Sequence, residues 1–243
     1  MMSLPDWEFL LEAWDQGAQL NPLGQALAIL GCAYPERSIQ ELAGLNIIQR
    51  DLELLKLRQR LFGDLINIFM SCAHCGMHLE FSIPASSVLS SLADQAERVV
   101  QWNSKGFHYN LRLINSFDLS TVIDMEPEQN AQFALLEKCL TITATDTDQR
   151  TPDPSEYLST AMSKFNKLLQ DAEIVLNVQC PACLQTVHTE LDICSFLWRE
   201  IRHAANSLLA EVHELARTYG WAETAILSMS PARRHAYLDM VRL

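Results

Sequence analysis

Two Cys-x-x-Cys pairs, Cys72/Cys75 and Cys180/Cys183, constrain this chain more than any other feature of its sequence. Each pair sits between two runs in which apolar and polar residues alternate. Leu65 to Met70 leads into the first pair and Leu79 to Ile83 leads out, while Glu173 to Val178 and Thr186 to Leu191 flank the second. Period-two alternation is the mark of a half-buried strand, so each pair is expected in the turn of a β-hairpin. Two such turns match the halves of a zinc ribbon, where one Zn2+ is held tetrahedrally by four thiolates. Gly76 supplies the positive φ such a turn asks for after Cys75, and Leu184 holds the equivalent place in the second knuckle. His74, His78 and His188 are substitute ligands should one thiol point away.

The spacing between the pairs far exceeds the roughly 15–20 residues of a compact ribbon. A whole subdomain is therefore expected between the hairpins, and the metal would join remote parts of the chain. Structural zinc is worth on the order of 10–16 kcal/mol in small peptides, so its loss is expected to unfold this module. Three other chemistries match parts of this pattern. Cys180-Pro181-Ala182-Cys183 has thioredoxin-like spacing, but such a redox pair opens a helix after a strand. His188-Thr189-Glu190 beside a Pro-Cys-x-x-Cys suggests a zinc deaminase, yet there the His-x-Glu precedes the cysteines. Free buried thiols without metal are the third possibility.

The chain has 243 residues, seven cysteines and a formal net charge of −12. That length carries one large or two small domains with a real core. Cys32, Cys139 and Cys194 are expected as ordinary buried thiols, and the cysteine usage suits a soluble protein of a reducing, cytoplasmic compartment. The acidic balance argues against nucleic acid as a partner, and no run near 18 apolar residues argues for a membrane. No small-molecule substrate is expected either, because no phosphate-binding Gly-rich loop or catalytic constellation stands at recognisable spacing.

Helical patterns flank the hairpins. Leu4-Pro5-Asp6 precedes an amphipathic stretch with Trp7 and Trp14 that ends near Gly17; both tryptophans are expected to pack in a core, with an exposed docking surface as the alternative. Asn21-Pro22 opens a second helix through Cys32, and Ser38 to Glu41 has capping-box spacing. A helix from Ile47 to Leu61 leaves Arg50, Asp51, Glu53, Lys56 and Arg58 available to water and closes at Gly63. Between the hairpins, a helix is expected from Ser87 to Val100, a strand from Phe107 to Ile114, a helix from Glu128 to Leu140, an exposed loop from Thr145 to Ser155, and a helix from Tyr157 to Leu169. The strongest helix runs from Ile193 to Tyr219 with Leu197, Ile201, Ala204, Ala205, Leu208, Val212, Leu215, Ala216 and Tyr219 on one stripe. Trp221 starts a short helix and Ser230-Pro231 opens a last one.

Several stretches together resemble one family. They are Gln49-Arg50-Asp51 through Leu61-Phe62-Gly63, the first knuckle with Leu79-Glu80, Leu111-Arg112-Leu113 with Asp118-Leu119, and Cys180-Pro181-x-Cys183 with Phe196-Leu197-Trp198. The tail adds Glu211-Val212-His213-x-Leu215-Ala216, Tyr219-Gly220-Trp221 and Ser230-Pro231-Ala232-Arg233-Arg234-x-x-Tyr237-Leu238. The chain resembles the baseplate protein family of T-even-type phages and of bacterial phage-tail-like contractile injection systems. It departs at Ala73, where Pro is frequent, and at Leu184, where Gly is usual. The resemblance implies a component or assembly factor of the baseplate or its hub, with other baseplate proteins as partners.

The expected architecture is α+β and predominantly helical: an N-terminal helical segment (1–64), a split zinc ribbon (65–84 with 173–194), an inserted α/β subdomain (85–172) and a C-terminal helical hairpin (195–243). The expected function is non-enzymatic protein–protein binding, with structural Zn2+ on Cys72, Cys75, Cys180 and Cys183. Trp221, Arg233, Arg234 and Tyr237 are the partner-binding candidates, because aromatic residues and Arg are enriched at interfaces. The alternative functions are a zinc-ribbon adaptor in transcription or another nucleic-acid process, and a thiol redox enzyme.

Overall fold

The computed structural model describes residues 6–145 and 151–241. Its helix starts follow local chemistry. Helix α1 (Asp6–Gly17) comes first; the Leu4-Pro5 signal expected to open it lies outside the described residues. Asn21 accepts the Gly24 N–H ahead of α2 (Pro22–Ala33), whose proline sits where its missing N–H costs nothing. Ser38 with Glu41 and Asn46 with Gln49 close capping boxes on α3 (Ile39–Gly44) and α4 (Ile47–Phe62). Gly63 ends α4 at a φ of 85°. The fold is α+β, with small antiparallel sheets among helices.

Strands β1 (Leu65–Ser71) and β2 (His78–Pro84) form the first hairpin, in register from Leu65 opposite Pro84 to Ser71 opposite His78. After α5 (Ala85–Ala93) comes a three-stranded sheet in the order β3 (Val99–Ser104), β4 (Phe107–Arg112), β5 (Leu140–Ala144). Between β4 and β5 lie α6 (Ser116–Ser120) and α7 (Glu128–Cys139). Helix α8 (Pro154–Ala172) leads into the second hairpin, β6 (Val175–Gln179) and β7 (Thr186–Glu190). Helix α9 (Ile193–Tyr219), α10 (Glu223–Leu227) and α11 (Pro231–Val241) complete the chain. Among the described residues, no helix is long and apolar enough to cross a membrane.

Tertiary pairing corrects several local expectations. The helix expected from Ser87 to Val100 stops at Ala93, because Val99 and Val100 pair with Arg112 and Leu111 across the sheet. Trp102 of the same strand stacks on Tyr109 at a centroid distance of 4.9 Å. Leu140 likewise leaves the helix expected through it and opens β5 opposite Leu111. The strand expected to reach Ile114 ends at Arg112, and the short helix expected from Trp221 begins at Glu223. Of the expected loop from Thr145 to Ser155, residues 146–150 lie outside the described residues, and Pro154 already belongs to α8. Arg58, expected in water, is buried and donates to the Gly63 carbonyl at 2.8 Å, so it secures the end of its own helix. Cys139 and Cys194 are buried as expected, whereas Cys32 is only half-buried.

Two compact units divide the chain, one of Met1–Pro35 with Ser195–Leu243 and one of Glu36–Cys194. Helices α1 and α2 group with the C-terminal helices, and α3 and α4 group with the hairpins. The physical reason for the first grouping is a shared core. Leu208, Val212 and Leu215 of α9 pack with Ile226, Leu227 and Leu238, and Trp7 and Leu11 of α1 pack against them. Burying one such leucine stabilises by roughly 1.5–3 kcal/mol. Gly17 ends α1 without a positive φ; its lack of a side chain is needed because a Cβ there would sit 2.5 Å from the Trp198 ring.

Candidate metal centre

The two hairpins carry the same turn at one constant offset in numbering, which takes Cys72 to Cys180, Cys75 to Cys183, Gly76 to Leu184 and Met77 to Gln185. In the first turn, the Cys72 N–H donates to the Met77 carbonyl and the Gly76 N–H to the Cys72 carbonyl, both at 2.8 Å. In the second, the Cys180 N–H donates to the Gln185 carbonyl and the Leu184 N–H to the Cys180 carbonyl, both at 2.9 Å. The turn demands a left-handed residue after its second cysteine. Gly76 meets this at a φ of 75°, and Leu184 is forced into the same region at 60°.

Both turns deliver their sulfurs to one point. Cys72 Sγ lies 3.7 Å from Cys183 Sγ, and Cys75 Sγ lies 3.7 Å from Cys180 Sγ. All four sulfurs fall within 4.8 Å of one another. Four sulfurs placed tetrahedrally at about 2.3 Å from a central ion stand about 3.8 Å apart, so the spacing fits a Zn-sized ion. It does not fit a disulfide, whose sulfurs are about 2.05 Å apart, and among the described residues no cysteine is disulfide-bonded. Leu79 and Val187, equivalent in the two hairpins, pack with Cys72 and Cys180 and keep this side of the cluster dry.

The electrostatics suit a cation. The N–H groups of Cys183 and Ala182 aim at the Cys180 sulfur, and the first of these is the main reason its thiol falls to about 7. At Cys75 the Met77 N–H pulls the same way, but desolvation and the sulfurs of Cys183, Cys180 and Cys72 outweigh it and push the thiol up to about 12. Cys183 is also raised, the Gln185 N–H being outweighed by desolvation and neighbouring sulfurs. A bound cation would favour the thiolate form of these sulfurs and balance the negative charge they gather. Burial holds the thiols of Cys32, at about 11, and Cys139, at about 12, in the neutral form.

The histidines named as substitute ligands are not part of this cluster. His188 Nδ1 is bonded to Asn177, and His78 Nδ1 lies 3.2 Å from the Ser71 hydroxyl. His74 is exposed in the first turn.

The C-terminal candidates meet one another. Trp221 stacks on Tyr219 at 4.5 Å, and Tyr237 lies edge-on to Trp221 at 4.9 Å. Arg233 is exposed, with its guanidinium over the Tyr237 ring at 5.8 Å. Arg234 is buried at 5 % exposure, donating to Glu211 Oε2 at 3.0 Å and to the Met229 carbonyl at 2.8 Å. Sequence reasoning paired none of these residues, nor Arg112 with Asp118, which form a two-pronged ion pair at 2.6 and 3.0 Å.

No protein-family model, no curated protein and no solved structure matches this chain.

Proposed function

We propose that this chain is a non-enzymatic assembly protein whose fold is stapled by one structural Zn2+ in a split zinc ribbon, and that it binds baseplate or hub proteins of a contractile tail. The observation that carries the metal reading is the convergence of four sulfurs, from two remote hairpins, at separations a tetrahedral ion requires. Cys72, Cys75, Cys180 and Cys183 would hold the ion as thiolates. Four protein ligands close the coordination shell, leaving no position for an activated water, so the centre holds structure and does no chemistry on a substrate.

The assembly role rests on the resemblance of the quoted motifs. The exposed Arg233 beside the Tyr219, Trp221 and Tyr237 rings supports a docking role for the tail, since Arg and aromatic residues are the types that anchor interfaces. Arg234, buried against Glu211, holds α11 to α9. The test has two arms. Metal analysis of reduced protein is expected to give one zinc per chain, and co-expression with the sheath, tube and baseplate proteins of a contractile tail is expected to give salt-tolerant co-purification. Binding to DNA or RNA that falls steeply with salt, without capture of tail proteins, would point to the nucleic-acid adaptor instead.

A further inference from the structure

We infer that the cluster is also an oxidation-sensitive staple, in which a peroxide replaces the metal link with disulfides that span the two hairpins, Cys72 to Cys183 and Cys75 to Cys180. This rests on the metal-site reading above and assigns a regulation to that site.

The pairing comes from the geometry. Both 3.7 Å sulfur contacts run between hairpins, and together they use each of the four thiols once. Closing such a contact to the roughly 2.05 Å of a disulfide asks for about 1.6 Å of movement. The turns that carry the sulfurs are held by their own backbone hydrogen bonds, which do not depend on the sulfurs. Access is uneven. Cys75 is exposed, Cys183 is half-buried, and Cys72 and Cys180 are buried. A small oxidant therefore meets Cys75 first, with Cys180 positioned behind it.

The chemistry balances with peroxide as the oxidant. In the zinc-loaded chain Cys75 would be a ligand thiolate, and it attacks one peroxide oxygen, breaks the O–O bond, becomes a sulfenic acid and releases hydroxide. The Cys180 thiolate then attacks that sulfur, forms the S–S bond and expels a second hydroxide. The two sulfurs have lost two electrons, and the two hydroxides take up two protons to become water. With two of its four ligands gone the site loses its ion, and a second peroxide converts Cys72 and Cys183 in the same way. The hairpins thus stay joined when the metal leaves.

The experiment uses the zinc-loaded full chain treated with hydrogen peroxide, with released zinc followed by a chromogenic chelator. The products are mapped by trypsin without reduction. Cleavage after Arg60, Arg98, Lys167 and Arg199 puts Cys72 and Cys75 on one peptide (61–98) and Cys180 and Cys183 on another (168–199). Zinc release in step with a cross-link between these two peptides is expected, with fragment ions placing it at Cys180 and Cys183 and not at Cys194. Dithiothreitol should reverse both changes, and Cys75→Ser should lose the bond at Cys180. Disulfides confined within each peptide, or zinc retained under peroxide, would overturn the inference. Reduced protein that never holds zinc would instead sink the metal reading itself, so the two failures are distinguishable.

Discussion

The sulfur atoms of Cys72 and Cys183 lie 3.7 Å apart although 111 residues separate them along the chain. An unfolded chain brings such distant thiols together only at a large entropic cost, so an ion bound by all four acts as a long-range cross-link. Its binding free energy, on the order of 10–16 kcal/mol in small peptides, is comparable to the roughly 5–15 kcal/mol net stability of a domain. Cys72→Ser is therefore expected to abolish stoichiometric zinc and to lower the unfolding midpoint sharply, whereas Cys32→Ser keeps full metal content. Elemental analysis beside urea unfolding reads both. Equal zinc in the two variants would remove the cluster as the metal site.

Leu184 stands where the turn requires a left-handed residue, and it is 68 % exposed. A side chain in that region costs roughly 1–2 kcal/mol, partly offset because glycine has more freedom to lose on folding. Leu184→Gly should stabilise the metal-bound protein by about 0.5–1 kcal/mol. The reciprocal change, Gly76→Ala, should destabilise by a similar amount. Thermal melts of the two variants check the sign, and a loss on Leu184→Gly would mean that the exposed leucine has a contact worth more than the strain.

Gly17 and Trp198 make a different case. A Cβ at position 17 would meet two ring carbons at 2.5 and 2.7 Å, so the buried indole has to shift or α1 has to move. Overpacking of this kind typically costs 1–3 kcal/mol, and Gly17→Ala is expected to fall in that range. The combination with Trp198→Leu should recover part of the loss, which a double-mutant cycle measures.

Asp118 ties pH to stability. Burial alone would raise its carboxyl, but the Arg112 guanidinium, the Asn115 N–H and the charge of Lys138 hold it below the usual carboxylate range. A carboxylate depressed on folding contributes stability that is present above its unfolded value of about 3.9 and is lost as pH falls through its folded value. The stability difference between wild type and Asp118→Asn should therefore be largest near neutrality and shrink in acid. Urea titrations at a series of pH values test this; a difference independent of pH would deny the ion pair its role.

Legibility in the sequence depended on how local the deciding physics is. Both hairpins, the capping box at Ser38 and the long stripe of α9 are written in adjacent residues, and the four cysteines could be named because ligand spacing within a turn is fixed. Val99 and Leu140 are not legible in this way, for the opposite reason. Each continues a helical pattern locally, and only its partner across β4 makes it a strand. Arg58 and Arg234 look like surface charges until the groups they reach, the Gly63 carbonyl and Glu211, are known.

That last distinction separates two neighbouring arginines. Arg234 is buried against Glu211, itself only 18 % exposed, and removing the guanidinium strands a carboxylate and the Met229 carbonyl. Breaking a buried pair costs 3–5 kcal/mol, and the partial exposure of Glu211 brings the expectation for Arg234→Ala to about 2–3 kcal/mol. Arg233→Ala, on the exposed side of Tyr237, should change stability by less than about 0.5 kcal/mol. Loss of tail-protein capture by Arg233→Ala at unchanged melting temperature would therefore report on the docking surface, while the same loss in Arg234→Ala would report on folding. If Arg233→Ala captures partners as well as wild type does, the docking surface lies elsewhere.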